Sequence, residues 1–312
     1  MLVALAGGVG AARFLRGLVR VVPPADVTAI VNTADDEVFH GLSVSPDLDT
    51  VTYTLAGAEH REQGWGLEGE SFRTIDALGR YGADTWFRLG DLDLATHLFR
   101  TERLRAGTPL STVTAEIAAA WGVESRLLPM TDDPVSTRIT VERPGGDLEV
   151  LRMQEWFVRE RTAPPVVAVA FEGAETARPA PGVLDAIAAA ETIIVCPSNP
   201  IISIGPILAV PGVRDALVAR RDRVVGVSPI IAGATVKGPA DRLMGPLGID
   251  VSCVGVAEVY APFCSTLVID ERDAGRAAEV AATGVRPVVA ETLMTDAHIA
   301  AALAQHALDA VA

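Results

Sequence analysis

The chain has 312 residues, of which 49% are hydrophobic, and a formal net charge of −14 at pH 7. No apolar run reaches the roughly 18 residues that a membrane helix needs, and glycines and an arginine interrupt the apolar N-terminus, so neither a membrane span nor a signal peptide is expected and the protein reads as cytoplasmic. The acidic balance leaves no basic stripe for nucleic acid; an anionic small ligand would need local compensation from backbone N–H groups, arginines or a divalent cation.

Along the chain, "LVALA" (2–6) reads as a strand, residues 10–20 as a helix and "VTAIVNT" (27–33) as a second strand. Residues 61–130 hold three helical stretches, "SFRTIDALGRYG", "DLDLATHLFRTERLRAG" and "STVTAEIAAAWG", with "TWFRL" (85–89) read as a strand between the first two. Residues 136–158 alternate as a hairpin turning at Pro144, Gly145 and Gly146. "TIIVCPS" (192–198) and "RVVGVSP" (223–229) follow Ala-rich helices, and "TLVID" (266–270) and "RPVVA" (286–290) close the series. Strands alternating with helices give an α/β, Rossmann-like fold. Its mostly parallel sheet carries helices on both faces, because the strands are apolar on both sides. The expected organisation is one domain, 1–312, with a helical plus hairpin insertion at about 61–160. The last 60 or so residues carry no motif beyond sheet and helix.

Cys196, Cys253 and Cys264 lack CxxC spacing and read as buried thiols, and the histidines lack H-E-x-x-H spacing, so no zinc site is expected. The glycines Gly7, Gly8 and Gly10 join a strand to a helix N-terminus, where free N–H groups and the positive dipole end favour phosphate. The spacing is not G-x-G-x-x-G, and no G-K-[ST] follows, which excludes the P-loop. A nicotinamide-binding second strand usually ends in Asp or Glu; this one ends in Asn32-Thr33, which disfavours a dehydrogenase.

The stretch "VNTADDEVFHGLSVSPDLDTVTYTLAG" (31–57) should begin as a loop at the carboxyl edge of the sheet. Ser45 and Pro46 then read as the cap and first position of a helix. Asp47 is read as an acid complementing the helix dipole. Asp49, on one face with Tyr53, is read as holding a substrate hydroxyl or a hydrated Mg²⁺. Asp35 and Asp36 are loop acids, at least one of them a candidate metal ligand. Of the 26 lysines and arginines only Lys237 is lysine; it lies in a Gly-Pro loop and is either a solvated charge or a phosphate contact.

The blocks "LAGGVGAARFLRGL", "VNTADD", "SPDLDTVTYTLAG", "WFRLGDLDLATHLFRT", "LLPMTDDPVSTRI", "CPSNPIISIGPIL" and "VSPIIAGATVKGPADRLM" run in order from residue 2 to about 244. Together they resemble the coenzyme F420 biosynthesis transferases, which comprise the archaeal 2-phospho-L-lactate transferase and its phosphoenolpyruvate-linked actinobacterial counterpart. The resemblance implies a Mg²⁺-dependent, typically homodimeric enzyme. Such an enzyme moves a phospholactyl or phosphoenolpyruvyl group from a guanosine diphosphate donor to the ribityl hydroxyl of the deazaflavin Fo, releasing GMP. It also implies that Asp49 and Arg88 bind Fo, with Asp49 catalytic; the metal is expected among Asp35, Asp36, Asp47 and Asp49, with Asp35 and Asp49 as the chosen ligands. Gly7, Gly8, Gly10, Asn32, Ser198, Asn199 and Lys237 are expected on the nucleotide side. The arginine- and alanine-rich composition favours the phosphoenolpyruvate branch. The alternative is a related family of nucleotide-sugar-binding regulators, which share the glycine loop and the "ADD" but continue at once into "DGGSSG"; this chain continues "DDEVFHGLSVSPDLDT" instead.

Overall fold

Runs of Val, Ile, Leu and Ala bounded by turn residues form a seven-stranded sheet in the computed structural model, which describes residues 1–311. The strands are β1 (Leu2–Ala6), β2 (Val27–Val31), β3 (Arg126–Pro129), β4 (Thr192–Val195), β5 (Val224–Val227), β6 (Thr266–Asp270) and β7 (Arg286–Ala290). Their order is β7-β6-β5-β4-β1-β2-β3, with every neighbouring pair parallel. Winding outward in both directions from β1 is the doubly wound arrangement, and it reverses between β1 and β4.

Alternate side chains feed two cores, as a sheet covered on both faces requires. Val3, Leu5, Ile193 and Val195 enter one; Ala4, Ala6, Ile194, Val225 and Val268 enter the other. The second face is covered by α1 (Gly8–Leu18), α2 (Pro46–Leu55) and the helix Ala297–Asp309. In α1 the apolar positions Ala11, Phe14, Leu15 and Leu18 recur at helical spacing and are buried, which leaves Arg13 and Arg16 on the other side.

Predicted strands that ran to 33, 198 and 229 end two or three residues earlier. There polar side chains turn the backbone: Asn32 Oδ1 accepts the Ala34 N–H at 3.0 Å, and Ser228 Oγ accepts that of Ile230 at 3.2 Å. "TWFRL" is not a strand: Trp86 and Phe87 pack on Phe39 of the small hairpin Glu37–Phe39/Leu42–Val44, with Phe87 stacked at 3.9 Å between ring centroids. Aromatic contact, not strand pairing, holds that segment.

The stretch 61–160 is not one excursion from the sheet, since β3 lies inside it and forms the sheet edge beside β2. The hairpin Ser136–Glu142/Leu148–Arg152 does form around Pro144–Gly146, but it gains a third antiparallel strand, Val166–Glu172. Ile139, Val141 and Leu151 on its inner face pack on Trp156, Ile202 and Leu243, attaching the small sheet above the carboxyl edge of the large one.

Gly17 of α1 lies against the backbone of Ala300, and a Cβ there would sit 2.8 Å from the Ala300 Cβ. Gly17→Ala should therefore destabilise the fold by about 1–3 kcal/mol in urea unfolding. Gly275→Ala, where a Cβ meets nothing within 4 Å, should not. Equal stability of the two variants would contradict the close α1 packing.

Candidate active site

The reversal of strand order parts the chain leaving β1 from the chain leaving β4, and ligands of open α/β sheets bind in that crevice. The two exits are locked together. The Gly7 N–H donates to Ser198 Oγ at 3.3 Å, a Cβ on Gly7 would lie 2.6 Å from Ser203 Cβ, and a Cβ on Gly10 would enter the Pro197 carbonyl. Gly8 has φ +72°, a left-handed conformation that glycine adopts without strain. Close approach is thus a principal reason for the glycines. The Gly8 N–H is already taken by Asp47 Oδ1 at 2.9 Å, and the next residues of the first helical turn, Val9 and Gly10, also line the cavity.

Asp47 is placed by Pro46 at the first position of α2. Its role departs from the dipole-complementing acid expected: besides Gly8 it accepts from Asn32 Nδ2 at 3.0 Å. The same Nδ2 donates to Asp35 Oδ2 at 3.1 Å, so one amide holds two carboxylates together. Burial raises both acids, Asp47 to about 6 and Asp35 well above the carboxylate range, the latter also through the Asp47 charge. Asp35 Oδ1 is buried without a partner among the described residues. Two adjacent all-oxygen ligands with an unsatisfied lone pair are the kind of donors a hard divalent cation takes. Asn32 itself is fully buried and lies behind the cavity wall, so it positions acids instead of touching a nucleotide as expected. Ser45 is the N-cap residue of α2 by position, but its hydroxyl donates to Asp36 Oδ2 at 2.6 Å and does not cap the helix.

Asp47 and Asp49, two residues apart, point in different directions, as helical geometry requires. Asp49 enters a buried fork with Arg100 of α3 (Asp93–Arg105), whose Nη1 donates to Oδ2 at 3.1 Å and Nη2 to Oδ1. Burial raises the Asp49 carboxyl, and the Arg100 charge opposes that rise. Arg100 Nη1 also lies 3.3 Å from His97 Nδ1, and because arginine only donates, Nδ1 must accept. That assigns the Nε2–H tautomer to His97, with Nε2 3.2 Å from Asp93 Oδ2. Tyr53 donates to Asp93 Oδ1 at 2.5 Å. Ligand atoms of Asp49, Asp93 and His97 lie within 4.8 Å of one another, as a metal site would require. The guanidinium on both Asp49 oxygens would be a like-charge neighbour of a dication there, which weighs against Asp49 as the metal ligand expected. Each oxygen keeps a lone pair for a substrate hydroxyl.

Helix α3 carries this network by burying its polar side. Thr96, His97, Arg100 and Thr101 are buried while Leu98 and Phe99 are exposed. Arg88 lies on the cavity wall in irregular chain, 46% exposed, bonded to Asp76 at 2.8 Å and 4.7 Å from the Phe72 ring centroid. On the β4 side, Asn199 Oδ1 accepts the Ile201 N–H at 2.9 Å, while its Nδ2 is buried without a partner among the described residues. Lys237 also lines the cavity, Nζ donating to the Gln63 carbonyl at 2.8 Å.

The structure thus brings Gly7, Gly8, Gly10, Asp35, Asp49, Arg88, Ser198, Asn199 and Lys237 to one cavity of about 770 Å³. Sequence reasoning held Asp47 chiefly as a helix-dipole acid and missed Arg13, Asp93, His97 and Arg100. The available signal for the last three was their spacing, 93, 97 and 100, a polar stripe on one helical face. The cysteines are buried thiols as expected. Among the described residues no helix is long and apolar enough to cross a membrane.

A family model described as 2-phospho-L-lactate transferase CofD matches residues 2–306. A Streptomyces griseus protein named phosphoenolpyruvate transferase is 46% identical over 310 residues, covering 99% of this chain and 97% of that one. A 2-phospho-L-lactate transferase of Methanosarcina acetivorans is 40% identical over 304 residues, covering 97% of each. A crystal structure of a UPF0052-family protein from Bacillus halodurans superposes with a TM-score of 0.61 over 98% of both chains at 17% identity, which shows a shared fold alone.

Removing one member of a buried ion pair strands the other. Arg100→Met should cost about 3–5 kcal/mol in urea unfolding, and Asp49→Leu/Arg100→Met should recover most of it. A single variant as stable as the parent would mean that Asp49 does not depend on Arg100.

Proposed function

The chain belongs to the 2-phospho-L-lactate transferase CofD family, and on that premise we propose that it transfers a phosphoenolpyruvyl (or 2-phospho-L-lactyl) group from a guanosine diphosphate donor to the terminal ribityl hydroxyl of Fo. A phosphodiester of Fo and free GMP are the products. The observation that carries this reading is the division of the cavity lining into two chemical groups. Helix amides, Ser198, Asn199, Asp35 and Asp47 form one lining group, tied together by hydrogen bonds across the strand-order reversal; Asp49, Arg88, Trp86 and Phe87 form a second, chemically different group on the same cavity. The first suits a diphosphate, the second a hydroxylated chain on an aromatic ring system. Relatives named phosphoenolpyruvate transferase at 44–46% identity support the enolpyruvyl donor.

The reaction makes a bond from the ribityl oxygen to the distal phosphorus and breaks the bond from that phosphorus to the GMP oxygen. Such transfers need positioning and charge neutralisation more than covalent help from the protein. Asp35 and Asp47 would hold Mg²⁺, which would supply positive charge to the diphosphate. The α1 amides of Val9 and Gly10 add dipolar charge to the same group. Asp49, held in one orientation by Arg100, accepts the hydrogen bond of the attacking hydroxyl and takes its proton as the new bond forms. Arg88, with the neighbouring aromatic side chains, orients the acceptor. The enzyme acts as a homodimer in the cytoplasm on these small molecules, with no nucleic acid or membrane partner.

Incubation with Fo, Mg²⁺ and each donor, read by mass spectrometry and GMP release, should give the Fo phosphodiester, faster from the enolpyruvyl donor. Asp49→Ala should lower the rate by at least about 10²-fold, and Arg88→Ala should raise the KM for Fo while leaving guanosine nucleotide binding unchanged. Absence of product from both donors would overturn the proposal; nucleotide-sugar binding without transfer would support the regulator reading instead.

A further inference from the structure

Arg13 and Lys237 meet on the cavity wall without an acid between them. Arg13 stands on α1 one turn beyond the glycines, and Lys237 reaches in from the loop before the helix Ala240–Met244. Their positions converge at Gly64: the point where a Gly64 Cβ would stand lies 3.3 Å from Arg13 Nη2 and 3.5 Å from Lys237 Nζ. A side chain there would fill the gap between the two cations and strike Val9 Cγ1 at 2.6 Å. Among the described residues Arg13 makes no salt bridge, and Lys237 bonds only a neutral carbonyl, that of Gln63. The acid nearest in influence, Glu59, is buried and bonded to Arg16. Burial and Arg16 lower the Arg13 pKa, and burial and Arg13 lower that of Lys237. Two cations that repel one another in a protein with net charge −14 are not placed for mutual stability.

We propose that Arg13 and Lys237 form a subsite for an oxyanion of the donor, a phosphate or the carboxylate of the transferred three-carbon group. This rests on the transferase reading above for the identity of the donor, but not for the presence of the subsite. Arginine supplies a planar fork to such a group and lysine a point charge, so two dissimilar donors close on one anion. The site lies beside Val9, adjoining the α1 amides, so an anion there continues the same line of charge.

The test is isothermal titration of the full chain, parent, Arg13→Gln and Lys237→Gln, with inorganic pyrophosphate, guanosine, GMP and GDP, followed by donor KM values. Arg20→Gln, an exposed site beyond α1, is the control and should match the parent. Each site variant should lose about tenfold in pyrophosphate or GDP affinity with guanosine binding unchanged if the anion is a phosphate. If it is the carboxylate, GDP binding should hold while the KM of the complete donor rises about tenfold. Parent-like values for all of these in both site variants would overturn the subsite. A parent that binds pyrophosphate through these residues but no guanosine nucleotide would overturn the donor assignment alone.

Discussion

One side-chain amide, that of Asn32, organises the cavity. Its Nδ2 donates to Asp35 and Asp47, and its carbonyl oxygen turns the chain leaving β2. Asp47 in turn bonds the Gly8 N–H, so the start of α2 is fixed to the start of α1. Ser198 bonds Gly7 from the β4 side. Three strand exits are thereby joined around one point with few degrees of freedom. The cost is a buried and a half-buried carboxylate close together, both raised by desolvation. That arrangement suits a site in which positive charge arrives with the ligand.

Away from that point the charge balance is reversed. Asp49 has its cation built in, a guanidinium locked onto both oxygens and backed by the His97–Asp93–Tyr53 chain. A carboxylate so held keeps its orientation and a free lone pair but has little attraction for a second cation. Neighbouring aspartates of one helix turn therefore sit in different networks: Asp47 is bonded to Gly8 and Asn32, Asp49 to Arg100. Residues two apart on a helix diverge by geometry, so one helix start presents two acids in two different settings.

The sheet was legible because each strand is apolar on both faces and bounded by turn residues, a signal local to a few positions. Ser198 and Asn199 were legible for the same reason, as polar groups directly after β4. "TWFRL" misled because aromatic residues favour strands, whereas Trp86 and Phe87 pack on Phe39. The third strand Val166–Glu172 was missed because its partner Ser136–Glu142 lies about thirty residues away. Asp47 was misread because a helix-dipole rule sees only its own helix; Asn32 stands fifteen residues earlier. His97 and Arg100 were not singled out, because only tertiary structure shows that α3 buries its polar stripe and exposes Leu98 and Phe99. Recognition of the family supplied Asp49 and Arg88, while the local chemistry that constrains Asp49, its fork with Arg100, came from the fold.

The measurement that bears most directly on this account is a crystal structure of the protein with GDP and Mg²⁺. The account requires the diphosphate at the strand-order reversal, within hydrogen-bond reach of the Val9 and Gly10 amides, the ion on Asp35 and Asp47, and Asp49 still paired with Arg100. A diphosphate lying instead against Arg88 and the Trp86–Phe87 wall, or an ion bound by Asp49, Asp93 and His97, would contradict it.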